Sequence, residues 1–449
     1  MKIMNYKISK AICKPLATAM VVLLTVGVST KVNAAILFQD QSENDLFNQY
    51  KGKVVDADSN KELVFASLSI DGTNISTVTN TEGEFSLKVP STIKEGSVTV
   101  SFLGYKSKIV NLSDLKDTHN KIALETSITE LSEVNIVVPK DAEALVIETF
   151  KKKGQNYFED PTLMTAFYRE TIKKRRKNVS LSEAVVNIYK APYSSTQRDA
   201  VELYKARKST DYDKLDTLAL KLQGGPFNAL FVDIMKYPEY IFTEETIPMY
   251  AYTFERSARI NDKLIYVVNF KQKENQIDQL YKGQLFIDAE NKILTSAIYS
   301  LDITNKENAA RMFVKKKPAK ANVYPTEIAY RVDYREKNNK WYYGYSNVLL
   351  EFKINWDDRL FNSVYSMTCE MAVTDWEKNL AGTTLKGKEK LKRNIILSDE
   401  AIGFSDPDFW GEYNIIEPEK SIESAIKKIQ KQLRKDKIGG TVALLDPKP

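Results

Sequence analysis

The chain has 449 residues, 28% of them charged and 43% hydrophobic, with one histidine, two cysteines and a formal net charge of +6. Its length supports more than one core. The near absence of histidine and cysteine excludes a metal centre built on them and a Ser-His-Asp or Cys-His catalytic arrangement. His119 stands alone in the polar stretch KDTHNK and reads as a surface residue.

Lys2, Lys7, Lys10 and Lys14 precede the apolar run LATAMVVLLTVGV, and Val32-Asn33-Ala34 follows with small or short residues at the cleavage positions. That order predicts a secretory signal peptide over residues 1–34. The apolar run is shorter than the roughly 20 residues of a spanning helix. This segment carries five lysines and no acidic residue, so the remainder is close to neutral and nucleic-acid binding loses its basis. Only Cys369 lies beyond it, which leaves no intrachain disulfide despite export to an oxidising compartment. The expected location is the periplasm or the outer membrane, with 35–50 as a linker.

Residues 51–126 alternate short β-branched runs with Gly, Asp and Asn turns: 53–55, 66–70, 76–79, 85–89, 97–102 and 108–112. Strands at about ten-residue spacing predict a β-sandwich. Phe85 and Leu87 share one face of their strand, as Leu68 and Ile70 do of theirs, so two half-buried sheets can face one another. Asp56-x-Asp58-x-Asn60 starts like a calcium loop. Lys61 stands where that loop needs Gly and Ser67 where it needs Glu, so the reading is a hairpin turn.

Gly52-Lys-Val54, Asp56, Ala66, Ile70-Asp-Gly72-Thr73, Thr79 to Phe85 and Phe102-Leu-Gly104-Tyr105 together resemble the carboxypeptidase-like regulatory domain family, a transthyretin-like sandwich. Asn80-Thr81 and Val64 depart from the commoner Thr-Asp and Pro. The resemblance implies an extracytoplasmic accessory module, frequent in Bacteroidetes surface proteins including extensions of TonB-dependent receptors. It implies no peptidase activity.

Residues 127–158 form a linker and helix: TSITELSEVNIVVPK reads as a last strand and an extended connection, and Asp141 as the N-cap of a helix of about four turns. Its apolar side is expected to carry Ala144, Ile147 and Phe150 with Leu145 and Ala142. From 159 to 400, long alternating strands are expected at 163–173, 181–190, 199–207, 250–260, 263–272, 280–289, 292–304, 326–336, 340–355 and 362–374. Short turns between them predict sequential antiparallel pairing and a curved sheet or half-barrel. The clusters KKRRK (173–177) and KKKPAK (315–320) fall where hairpin tips would be, as solvated turns or as peripheral contacts with anionic head groups.

Two helices are expected near 213–236. Leu215, Leu218, Ala219 and Leu222 give the first its spacing. Phe227, Leu230, Phe231 and Ile234, widened by Val232 and Met235, give the second. With only Asn228, Asp233 and Lys236 polar, the second would lie buried against the sheet, either completing a core or forming a movable lid over an apolar ligand. In KWYYGYSNVLLEFKIN, Tyr342, Val348, Leu350, Phe352 and Ile354 fall on one face. Trp341, Tyr343 and Tyr345 fall on the other, a candidate aromatic platform for sugars. The candidate ligand-binding residues are therefore Phe227, Leu230, Phe231, Ile234, Met235, Tyr342, Leu350 and Phe352.

Over 141–400 this architecture resembles the outer-membrane lipoprotein carrier and related lipoprotein-sorting families, whose members hold acyl chains. It is a resemblance of architecture that transfers no residue. In 401–449, SDPDFWGEYNIIEPE leads through Pro418 into a helix with Ile422, Ala425, Ile426, Ile429 and Leu433 on one side. That segment resembles the closing part of a group of Bacteroidetes regulatory-domain proteins and brings no assigned activity. A chain ending in a helix does not read as a transmembrane barrel.

Asp357 with Asp358, or Asp406, Asp408 and Glu412 around Trp410, are the carboxylates a glycosidase would need. The first two face opposite ways on a strand, and the others sit where Asp and Glu cap helices. The fold class expected is mainly β, a sandwich plus a larger curved antiparallel sheet with a few helices. The function expected is non-catalytic binding or assembly in the envelope, without cofactor or metal and without nucleic acid. Its partner would be a lipid-like ligand or another envelope protein, with a carbohydrate as the alternative.

Overall fold

The computed structural model describes residues 46–127, 141–175, 177–210, 222–255, 258–260, 263–274, 281–314, 317, 319–357, 362–403 and 409–420. The predicted signal peptide, the helix at 215–221, most of the last-strand reading in 128–140 and the C-terminal helix lie outside them. So do Asp358, Asp406 and Asp408.

Seven strands come first: β1 (Phe47–Asp56), β2 (Ser67–Ile70), β3 (Ser76–Val78), β4 (Glu84–Pro90), β5 (Ser97–Ser101), β6 (Lys108–Asn111) and β7 (Asn120–Leu124). One sheet has the order β4-β1-β7 and the other β3-β2-β5-β6. Alternation puts Val54, Phe85, Leu87 and Ile122 of the first against Leu68, Ile70, Val98 and Val100 of the second in one buried core, the packing of a sandwich. β7 was not among the expected strands. It pairs parallel with β1, and KIAL is too short beside the polar KDTHN for alternation to show. Gly52 sits where β1 crosses β7, and a Cβ there would lie 2.3 Å from the Asn120 carbonyl oxygen. At the Asp56 turn the carboxylate bonds the backbone two and three residues on, as an Asx turn does. Its carboxylate accepts from Ser59 N at 2.6 Å and from the Tyr105 hydroxyl at 2.8 Å.

Helix α1 (Ala142–Lys151) starts as expected, with Asp141 accepting from Ala144 N at 3.1 Å. Its buried side is Ala142, Leu145, Val146 and Thr149 rather than the arc through Ala144, which is exposed. A four-residue turn, α2 (Lys153–Asn156), follows.

The large sheet holds β8 (Thr162–Lys174), β9 (Lys177–Lys190), β10 (Ala200–Thr210), β11 (Tyr250–Phe254), β12 (Ala258–Ile260), β13 (Lys263–Gln272), β14 (Tyr281–Asp288), β15 (Ile293–Leu301), β16 (Ala321–Lys337), β17 (Lys340–Trp356), β18 (Ser363–Lys378) and β19 (Ile402–Gly403). Its order is β11-β13-β14-β15-β16-β17-β18-β8-β9-β10-β19, with β12 also on β13. Every pairing is antiparallel except β10 with β19. The sheet is curved and open. Arg175, at a positive φ of 56°, turns the basic β8–β9 hairpin. Helix α4 (Lys306–Phe313) was not foreseen, although Asn305 caps it by accepting from Asn308 N at 3.1 Å.

The two faces of this sheet are covered differently. On one, α1 and residues 222–250 build the main core on Met164, Ala166, Tyr168, Ala184, Val186 and Met371. On the other, Phe167, Val185, Tyr345 and Ala372 meet Val78 and Phe65 of the sandwich and Trp410, Ile415 and Ile416 of the closing segment. The i, i+1 alternation of β8 and β9 thus separates a covered face from a sandwich face.

Candidate ligand sites on the two faces

On the covered face, the apolar spacing predicts a helix over 226–236, and the structure has a single turn, α3 (Phe227–Leu230), followed by tight turns. The reason lies in Asp233. It is fully buried, and its carboxylate accepts from Lys190 Nζ at 2.6 Å, Tyr193 OH at 3.0 Å and Tyr334 OH at 3.0 Å. Lys190 Nζ also reaches Asp199 at 2.8 Å, and Tyr237 OH donates to Asp199 at 2.7 Å. Burial works against the Lys190 ammonium, and Asp199 and Asp233 outweigh it, holding its pKa above the usual lysine value. A buried polar set fully satisfied in this way fixes one backbone path, here at the expense of helix.

Phe227, Leu230, Ile234, Met235 and Phe352 come together in this core, all nearly inaccessible. Phe231 and Leu350 pack at its margin, half-buried, with Phe231 5.1 Å from the Tyr237 ring and 5.3 Å from the Tyr240 ring. Tyr342 is buried in the same cluster and also lines the cleft toward the sandwich. Asp333 pairs with Tyr345 but Tyr334 with Tyr343, so Gly344 is a bulge; a Cβ there would lie 2.7 Å from Arg335 Cγ. One extra residue reverses the phase of a strand. Tyr343 therefore joins Val348 on the covered face, its hydroxyl 2.6 Å from Ser346 Oγ. Tyr345 packs against the sandwich instead, and Tyr342 lines the cleft beside it. The expected platform of Trp341, Tyr343 and Tyr345 is thereby split.

Glu170 is a further covered-face group that pattern reading missed. It pairs in register with Cys369 and Ser182 and accepts from Tyr168 OH at 3.1 Å. Burial pushes its pKa up to about 7 against the opposing hydrogen bond from Tyr168, and burial pushes the Cys369 thiol up to about 12. Its sequence neighbour Arg169 faces the other way, donating to Glu183 at 2.8 Å, Glu370 at 3.1 Å and the Ile416 carbonyl at 2.6 Å. Burial alone would raise Glu183; Arg169 and Arg207 more than reverse it.

Between the sandwich and the large sheet lies a cleft of about 480 Å³. Its sandwich wall carries Phe65, Ser67, Ser69, Thr99, Ser101 and Phe102, and its sheet wall Arg331, Asp333, Arg335, Trp341, Tyr342 and Tyr345. Phe65 has a positive φ of 66°, a strained setting for a bulky residue. In that setting its ring stacks on Tyr345 at 4.8 Å. The Arg331 guanidinium carbon lies 5.6 Å from the Phe65 ring and 5.7 Å from the Phe102 ring. Arg331 Nε donates to Asp333 at 2.8 Å, and Ser296 Oγ donates to the other Asp333 oxygen at 2.6 Å. Arg335 Nη1 bonds Ser76 Oγ and the Val373 carbonyl, tying the two walls together.

Among the described residues no cluster of His, Cys, Asp and Glu suits a metal ion, and no helix is long and apolar enough to cross a membrane. Asp357, from the first carboxylate pair, is at a turn beyond β17, and Glu412 lies beside the buried Trp410.

Residues 50–136 match the model of the CarboxypepD_reg-like domain, in agreement with the resemblance read from the motifs. No curated protein matches the chain. Among solved structures it is similar to a domain described as an outer membrane lipoprotein-sorting protein from Vibrio parahaemolyticus, at 12% identity over 55% of this chain and 96% of that one, with a TM-score of 0.25. It is also similar to a DUF1329 family protein from Desulfovibrio piger, at 9% identity over 55% and 96%, TM-score 0.24. A third is lipovitellin, in a structure of its lipid–protein interactions, at 8% identity over 54% and 28%, TM-score 0.27.

Proposed function

We propose that the chain is a non-catalytic binding protein of the cell envelope, exported by its N-terminal segment, whose ligand occupies the cleft between the regulatory-type sandwich and the large sheet. The observation that carries this reading is the cleft itself. Its 480 Å³ falls within the roughly 300–1,000 Å³ of small-molecule sites. It is lined by both parts of the chain and contains an oriented arginine and half-buried aromatics.

A lipid-like ligand on the covered face is the second reading. Half-buried Leu350, Phe313, Val314, Tyr281, Tyr330 and Trp356 pack against the main core there, and an acyl chain would extend that core. Entry beneath residues 226–236 would break the Asp233–Lys190 pair, so the α4 side is the cheaper route.

Native mass spectrometry of protein isolated from its host separates the two. A bound species lost on Trp341→Ala supports the cleft. A species of lipid mass that survives Trp341→Ala and is lost on Leu350→Asp supports the covered face. A clean apo mass in both the parent and the variants counts against either.

A further inference from the structure

The geometry points to the cleft as a receptor for a saccharide bearing a carboxylate, with Arg331 as the residue that takes the acid group. This rests on the cleft being the ligand site and adds the class of ligand. Arg331 is held by three neighbours: Asp333 takes its Nε, and the Phe65 and Phe102 rings lie 5.6 and 5.7 Å from its guanidinium carbon. Its side chain is 19% exposed, and among the described residues no group pairs with its two terminal nitrogens. A guanidinium bonded at Nε and packed against two aromatic rings has lost part of the rotamer freedom that binding would otherwise cost. Its outward fork matches a carboxylate with two parallel N–H donors.

The opposite wall selects what else the ligand carries. On the paired strands β2 and β5, Ser67 stands opposite Ser101 and Ser69 opposite Thr99, so four hydroxyls form one patch on the face that lines the cleft. Among the described residues the hydroxyls of Ser67, Ser69 and Ser101 make no side-chain hydrogen bond, while Thr99 donates to Asp71 at 2.6 Å. Hydroxyls both donate and accept, which suits a polyol better than the donor–acceptor alternation of a peptide backbone. Trp341, half-buried at the same cleft, offers a flat apolar face for a sugar ring.

The test is binding of the purified protein to an array of acidic and neutral saccharides plus an oligoglutamate peptide, followed by titration calorimetry with an oligogalacturonate and its neutral oligogalactose counterpart. Acidic saccharides should bind and the neutral counterpart should not. Arg331→Gln should weaken binding about tenfold or more, and Arg331→Lys, which keeps the charge and loses the fork, should lie between. Ser69→Val leaves the ion pair intact and keeps the test valid should Arg331→Gln fail to fold; it should also weaken binding. Equal binding of acidic and neutral saccharides, both lost on Trp341→Ala, would overturn the acidic class while leaving the cleft as the site. Binding of oligoglutamate alone would overturn the saccharide class. No binding, or binding indifferent to Arg331→Gln, Ser69→Val and Trp341→Ala alike, would overturn the inference, whereas the cleft reading is overturned by a clean apo mass of the protein isolated from its host.

Discussion

At the scale of single residues, the chain keeps several ionisable groups out of water, and each is settled differently. Lys190 is neutralised by two carboxylates, and Arg169 is shared between Glu183 and Glu370. Glu170 pairs with no cation among the described residues and holds its proton instead, with a pKa of about 7 set first by burial. A carboxyl whose folded pKa exceeds its unfolded value binds more protons folded than unfolded between the two. Stability therefore falls as pH rises from about 4.5 to 7 and stays low above that. Glu170→Gln keeps the shape without the charge, so it should stabilise the protein at pH 8, by at most ~3 kcal/mol, and leave it unchanged near pH 4. Urea unfolding at the two pH values reads this; an equal effect at both would mean that Glu170 is not the protonated group.

At the scale of elements, polar burial overrides pattern. The strands of the large sheet were legible because a long period-2 alternation has few alternatives, and expected and observed strands differ mainly at their ends. The bulge at Gly344 and the short α3 were not legible. The bulge is set by the register of β16 on β17, with the Arg335 side chain packed against Gly344, and the short α3 by Lys190 and Tyr334, which lie far along the chain from Asp233. The candidate residues Phe227, Leu230, Ile234 and Met235 were legible as buried, but their helix was not, since spacing cannot show that Asp233 is drawn inward. Removing one partner of a buried pair costs about 3–5 kcal/mol because the other charge is left bare. Asp233→Ala should lose that amount in urea unfolding and open residues 222–250 to protease before the strands. Cleavage confined elsewhere would deny Asp233 its anchoring role.

At the scale of the whole molecule, the sandwich is built into the sheet rather than tethered to it. The extended segment Ile415–Glu417 runs between them with its carbonyls alternating. Thr77 Oγ1 donates to Ile415 O at 3.0 Å, Arg169 to Ile416 O at 2.6 Å and Asn80 Nδ2 to Glu417 O at 3.1 Å. Ahead of it, the Asn414 amide accepts from Lys88 N at 2.7 Å and donates to Lys88 O at 3.0 Å, closing the edge of β4 as a strand residue would. A module cut out at 51–126 would expose Val78, Thr77 and the Lys88 backbone, so its binding in isolation reports the cut surface as well as any partner. The same contacts tie unfolding of the two parts into one event. A single calorimetric transition is expected for the intact chain. Asn414→Leu has the right size but removes its two hydrogen bonds to the buried Lys88 N–H and C=O, at about 1 kcal/mol or more for each bond lost. In that variant, amide exchange in β3 and β4 should accelerate ahead of β8 and β9, and the transition should begin to split. Two transitions in the unaltered protein would show instead that sandwich and sheet melt independently, and a cleft formed by both would then have no fixed geometry to offer a ligand.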